Sequence, residues 1–255
     1  MWLDAGKLDH KGRCPKNVVI VQHFPGSVKQ YAEAPSFPGR EFSIPKNCPH
    51  PECQALDCLI RWGTYDRGVN IGDINYRISI QRIRCKGCGR THSLLPDFVQ
   101  AYRRYAIDLM QHMVSHYLMK GQGWSGLEQH MPSSDLDRST VREWVSTFAY
   151  GAGELLLDRL RHHVMTLDPS AELPGSSPEH FQRVPDPEKR RRLERARTFW
   201  LLAEQLYALV KTRQPRLLFA ADQLFSFLLH WLQNQALPPR LFWTPGLSNT
   251  PASPF

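Results

Sequence analysis

The chain reads CPHPEC at Cys48–Cys53 and CKGCG at Cys85–Gly89, two cysteine pairs with 31 residues between them. Paired thiolates on tight turns suit a tetrahedral Zn²⁺, which takes about four soft or borderline ligands at ~2.3 Å. An ion shared by both pairs would pin two distant turns together, and that constrains this stretch more than any propensity does. In the second pair, Lys86, Gly87 and Gly89 supply positive charge and backbone freedom around the sulfurs. The first pair has a four-residue gap, at the long edge of the usual spacing, so Cys58, His50 and His92 stand as alternative ligands. A redox CxxC of the thioredoxin type would open a helix inside a βαβ unit. This one follows a strand with more cysteines upstream, which favours metal over redox. Cys14 lies far from the cluster and reads as a free thiol.

Six cysteines would suggest disulfides in an exported protein, but Val18–Val21 is too short an apolar run for a secretory signal. The stretch Leu217–Leu232 is interrupted by Asp222, Gln223 and His230 and falls short of the roughly 20 residues that span a bilayer. The expectation is therefore a cytoplasmic protein with no membrane partner. A hydrophobic content of 42% excludes a disordered tail, and 20 prolines in 255 residues favour several short pieces. The formal net charge of +8 favours an anionic partner such as nucleic acid.

Period and punctuation divide the chain. Residues 1–40 read as an irregular lead-in with one β-like run, Asn17–His23, and residues 41–100 as a small β-rich zinc ribbon. Within the ribbon, Tyr76, Ile78, Ile80 and Ile83 alternate with Arg77, Gln81, Arg82 and Arg84, with one slip in phase near Gln81. Residues 101–168 carry helical periodicity and read as a helix-turn-helix. Its first helix shows Ile107, Met110, Val114, Tyr117 and Leu118 on one face and ends at Gly121-Gln122-Gly123. A short helix Trp124–Met131, a turn Pro132–Arg138 and a longer helix starting near Thr140 follow, with Thr140 and Glu143 as a capping box. Residues 169–187, rich in proline, read as a linker, 188–237 as C-terminal helices and 238–255 as a flexible tail. The fold class is thus α+β.

In the third helix, Val141, Trp144, Val145 and Phe148 form the core stripe, which leaves Ser139, Thr140, Arg142, Glu143, Ser146 and Thr147 on the opposite face. Short hydroxyls with an arginine and an acid at a helix N-terminus suit base edges and phosphates in a major groove. From Tyr76 to Arg104 seven arginines and lysines stand against Asp97 alone, and Arg82, Arg84, Arg103 and Arg104 are placed as phosphate contacts. His112 and His116 have helical zinc spacing, but Met113 replaces the glutamate a metalloprotease needs, so they read as a solvated or core-edge pair. The apolar residues of the last stretch, from Trp200 to Trp231, exceed what two isolated helices can cover, so they dock on this chain or form a homodimer.

The runs CLIRWGTYDRGV, RISIQRIRCKGCGRTHSLLPDFVQAYRRY and STVREWVSTF together resemble the amino-terminal zinc-finger and helix-turn-helix region of bacterial insertion-sequence transposases. They also resemble a related mobile-element-associated bacterial family of undefined function. The likeness covers roughly residues 41–150 and implies zinc ligands at Cys48, Cys53, Cys85 and Cys88, double-stranded end-sequence DNA as partner, and a nucleoid-associated location. A transposase would add three carboxylates on an RNase H-like scaffold. The residues after 150 read as helical, with Asp158, Asp168 and Asp222 isolated, so the expectation is a non-catalytic accessory or regulatory DNA-binding protein. The alternatives are an active or truncated DDE-type transposase and a zinc-stabilised protein-protein adaptor.

Overall fold

The computed structural model describes residues 18–120, 123–129, 131, 136–175, 178–214, 216 and 218–244. Cys14, the Gly121-Gln122 helix stop, residues 132–135 of the anticipated turn and the end of the tail lie outside them. The architecture is mixed α+β, and the chain divides into two compact units, one of residues 1–106 and 229–239, the other of 107–228 and 240–246, apart from the last residues of the chain.

The first unit is built on a four-stranded sheet in the order β1-β4-β3-β2, with β1 Val19–Gln22, β2 Leu59–Ile71, β3 Ile74–Cys85 and β4 Thr91–Pro96. β2 and β3 form a long hairpin closed by Gly72 and Asp73, with Ile71 opposite Ile74 and Gly72 in the left-handed region at φ 55°. Ile20, Val21, Ile78, Ile80, Ile83, Leu94 and Leu95 are buried, and with Val28 and Tyr31 of the short helix α1 (Val28–Ala32) and Phe98 they make its core. A capping box between Ser27 and Gln30 starts α1.

The β-like run expected at Asn17–His23 is β1, which pairs parallel to β4 with Val19 opposite Ser93 and Gln22 opposite Pro96. The partner lies about 70 residues away in sequence, beyond the reach of local pattern. The phase slip expected near Gln81 belongs to β2, where the register shifts between Arg61 and Gly63. Gly63 takes φ 116°, which a side chain would oppose, and Trp62 is thrown outward. Gln81 is left facing inward and is buried because its amide donates to the carbonyls of Gly63 and Arg82 at 2.9 and 2.7 Å.

The second unit is helical: α2 Ile107–Lys120, α3 Gly123–Glu128, α4 Arg138–Phe148, α5 Leu157–Leu167, α6 Pro187–Arg213 and the start of α7 (Leu224–Asn234). Its core centres on Phe148, whose ring lies 5.1 Å from Phe225, 5.7 Å from Phe242 and 6.0 Å from Phe199. Trp200, Leu202, Leu206, Phe225 and Leu228 are buried within the chain. α4 and α5 are joined by a π-helical turn, Ala149–Leu156, where Gly151 and Gly153 let neighbouring backbone approach closely.

Two further corrections fall in this unit. α4 starts at Arg138 with Asp137 as N-cap, its carboxylate accepting from the Ser139 N–H at 2.5 Å, so Thr140 is inside the first turn and caps nothing. Residues 240–244 of the anticipated flexible tail are packed: Leu241, Phe242 and Trp243 are buried, and the Trp243 N–H donates to the Thr147 carbonyl at 2.9 Å. The aromatic and aliphatic groups of this segment outweigh the loop signal of its prolines.

Candidate metal centre and basic surfaces

The candidate metal centre forms where two turns meet. The first turn is held by the Cys48 N–H donating to Ala55 O at 2.9 Å and the Cys53 N–H donating to His50 O at 3.0 Å. Gln54 and Asp57 complete it in the left-handed region, at φ 47° and 46°. The second follows β3, where Gly89, at φ 71°, donates its N–H to Cys85 O at 2.9 Å and the Cys88 N–H points at Cys85 Sγ at 3.4 Å. The Lys86 N–H donates to Cys58 O at 2.8 Å and ties the two turns together.

This brings the Sγ atoms of Cys48, Cys53, Cys85 and Cys88 within 4.8 Å of one another, a set that could hold a metal ion. The Cys48–Cys88 and Cys53–Cys85 sulfur separations are 3.8 and 3.7 Å. A tetrahedron with ligands at ~2.3 Å has edges of about 3.8 Å, so both contacts suit a shared ion. Burial disfavours the Cys85 thiolate, but the Cys88 N–H and the thiols of Cys58, Cys88 and Cys53 outweigh it and lower the pKa to about 6. Burial pushes the Cys48 and Cys88 thiols up. Cys58, one of the alternative ligands, lies outside the four and donates its thiol to Ala55 O at 3.0 Å.

Neither histidine alternative belongs to the tetrad, yet both are buried beside it. His92 Nδ1 accepts from the Val18 N–H at 3.3 Å, which leaves the proton on Nε2, 3.6 Å from Cys48 Sγ. Burial, then His50 and Arg90, lower the His92 pKa to about 4, so the ring is neutral. This support for Cys48 depends on β1 and was not legible in the cysteine spacing.

The residues anticipated for DNA fall in two places. On α4, Ser139, Arg142, Glu143 and Ser146 are exposed and Thr140 is half-buried, while Val141, Trp144, Val145 and Phe148 are buried; Thr147, anticipated outside, is buried and donates its hydroxyl to Glu143 O at 2.7 Å. The Arg142 guanidinium lies 5.2 Å from the Trp124 ring centroid, a cation–π contact. In the first unit, Arg82 donates to Thr91 Oγ1 at 3.2 Å, and Arg84 lies over Trp62 at 4.5 Å. Arg103 and Arg104 sit on a loop zipped to β2 by the Asn70 N–H donating to Arg104 O at 2.7 Å and the Ala106 N–H donating to Asn70 O at 3.0 Å. The exposed Trp62, Tyr65 and Tyr102 were not singled out; they carried no recognisable spacing.

Among the described residues no helix is long and apolar enough to cross a membrane. No solved structure and no curated protein matches the chain. A domain of unknown function, DUF6431, matches residues 50–144, which run from His50, between Cys48 and Cys53, to Trp144 in α4.

Proposed function

We propose that the chain is a zinc-dependent, transposase-like DNA-binding protein, an accessory or regulatory factor of a bacterial mobile element without the catalytic domain. The observation that carries this reading is the rotation of α4. Its buried stripe of Val141, Trp144, Val145 and Phe148 leaves Ser139, Arg142, Glu143 and Ser146 together in solvent near the helix start. A helix presenting an arginine and short hydroxyls there is suited to a major groove.

Zinc fits the four thiols in number, chemistry and spacing, and would serve as a structural cross-link between the turn before β2 and the turn after β3. β3 leads Arg82 and Arg84 into that cross-link. The resemblance of residues 41–150 to transposase amino-terminal regions supplies the mobile-element context. A non-catalytic role is favoured by where the acids lie. Asp158 pairs with Arg161 and Arg195 at 3.3 and 3.5 Å, Asp168 accepts from Ser170 at the end of α5, and the backbone carbonyl of Asp222 accepts from Gln111.

The test is a set of duplex-binding titrations at several salt concentrations, with a pool of varied sequences. Arg142→Ala should flatten the preference among sequences by about tenfold, the worth of a bidentate base contact. Removing Arg82, Arg84, Arg103 or Arg104 should weaken all duplexes alike and lower the salt slope by about 0.9 per lost phosphate contact. A wild-type chain with no salt-dependent affinity for any duplex would overturn the proposal in favour of a protein-protein adaptor.

A further inference from the structure

A basic groove edged by aromatic rings lies on the sheet of the first unit. A cavity of about 930 Å³ opens on the sheet and is lined by Tyr65, Arg67, Arg82, Tyr102, Arg103 and Arg104, with Asn70, Asn75 and Ser93 among its other walls. Its floor follows the strand register. Tyr65 and Arg67 stand opposite Ile80 and Ile78, in the same alternation as Arg82, which stands opposite Ser93, which in turn stands opposite Val19. None of the described residues lining it is acidic. Asp66, between Tyr65 and Arg67 in sequence, is paired with Arg77 at 3.1 Å and with the Ser79 hydroxyl.

The rim is held in place. The Arg67 guanidinium is largely desolvated, which lowers its pKa, and it donates to the carbonyls of Gln100, at 3.4 Å, and Arg103. With the Asn70 bonds to Arg104 and Ala106, this fixes the loop that carries Tyr102, Arg103 and Arg104. Tyr102 is 82% exposed and sits at φ 63°, a conformation that a bulky side chain seldom takes and that its surroundings must impose. Its largely exposed side chain lies at the edge of an arginine-lined groove.

Duplex phosphates call for cations alone, and a base pair inside a stack offers no face to an aromatic ring. Guanidinium groups beside exposed aromatic rings are the arrangement that tracks a flexible phosphodiester chain and stacks its unpaired bases. We propose that this groove binds single-stranded nucleic acid, with Arg82, Arg103 and Arg104 on the phosphates and Tyr102 and Tyr65 stacking on bases. It goes beyond the duplex reading: Arg82, Arg103 and Arg104 are shared with that reading, and Tyr65 and Tyr102, which stack only on unpaired bases, separate the two.

The experiment uses the 255-residue chain, purified with zinc, and fluorescein-labelled dT20, U20 and a 20-base-pair duplex, read by anisotropy across a salt series. Wild-type protein should bind a single strand with a salt-dependent affinity, and the tighter of dT20 and U20 shows which kind of strand is preferred. Tyr102→Asn keeps a residue that tolerates the left-handed region and removes the ring, and Tyr65→Ala removes the other. Each should weaken single-strand binding by about tenfold, the scale of one stacked base, and change duplex binding less than twofold. Arg142→Ala should leave single-strand binding unchanged. The proposal fails if wild-type protein binds neither single strand, or if the two tyrosine variants weaken duplex and single strand equally.

Discussion

The sulfur of Cys58 lies 3.1 Å from that of Cys85, closer than the edge of about 3.8 Å required of two thiolates on one tetrahedral ion. Cys53, 3.7 Å from the same Cys85 sulfur, meets that requirement. Cys58→Ser should therefore retain about one metal ion per chain, whereas Cys85→Ser and Cys53→Ser should lose it and destabilise the turns they hold together. Elemental analysis of the purified variants decides between the two sulfurs, and loss of metal from Cys58→Ser would exchange their roles.

His92 lies against Cys48 and outside the four-cysteine set. With Nδ1 accepting from the Val18 N–H, its Nε2–H is directed at Cys48 Sγ. Groups that hydrogen-bond to metal ligands typically contribute 10–100-fold in affinity. His92→Phe, which keeps the buried volume and removes the donor, should lower metal affinity by about tenfold with the stoichiometry unchanged, as measured by competition with a chromophoric chelator. Undiminished affinity would show that the 3.6 Å contact is packing alone.

The cysteine pairs were legible because their ligand chemistry is local: each turn declares itself within six residues. Other features depended on contacts distant in sequence. β1 joins the sheet through a parallel partner at Ser93–Pro96, and the 240–244 segment docks on the carbonyl of Thr147. The buried stripe of α4 was readable from its period, yet its N-cap was misplaced, since Asp137 and Thr140 are both good caps and only the Ser139 N–H bond shows which one acts. Gly63 hid the bulge because a glycine in a strand reads equally as a bend or a weak point.

The docking of 240–244 is tested at Gly151. A Cβ there would come within 2.3 Å of the Leu241 carbonyl oxygen and 2.5 Å of the Trp243 ring, and the first of these is backbone that cannot swing away. Gly151→Ala should destabilise the helical unit by about 1–3 kcal/mol, the usual cost of overpacking. Trp243→Ala removes a side chain that is 3% exposed and should cost about 3–5 kcal/mol. Chemical denaturation reads both; a Gly151→Ala variant as stable as wild type would show that the segment is loosely held.

The cap of α4 makes a pH-dependent contribution whose sign is set by Asp137. The Ser139 hydroxyl and N–H both donate to its carboxylate and hold its pKa below the usual value of 3.8. A carboxyl group that ionises more readily folded than unfolded stabilises the fold above its unfolded pKa, about 3.9, and that stabilisation fades as pH falls through the lower folded value. Asp137→Ala should therefore melt below wild type at neutral pH, by a margin that is constant down to about pH 5 and shrinks towards zero in stronger acid. Comparing the two chains at each pH cancels the loss of metal that protonation of the thiols brings to both. A margin independent of pH from 6 to about 3 would show that Asp137 caps through geometry alone and that its charge adds nothing to α4.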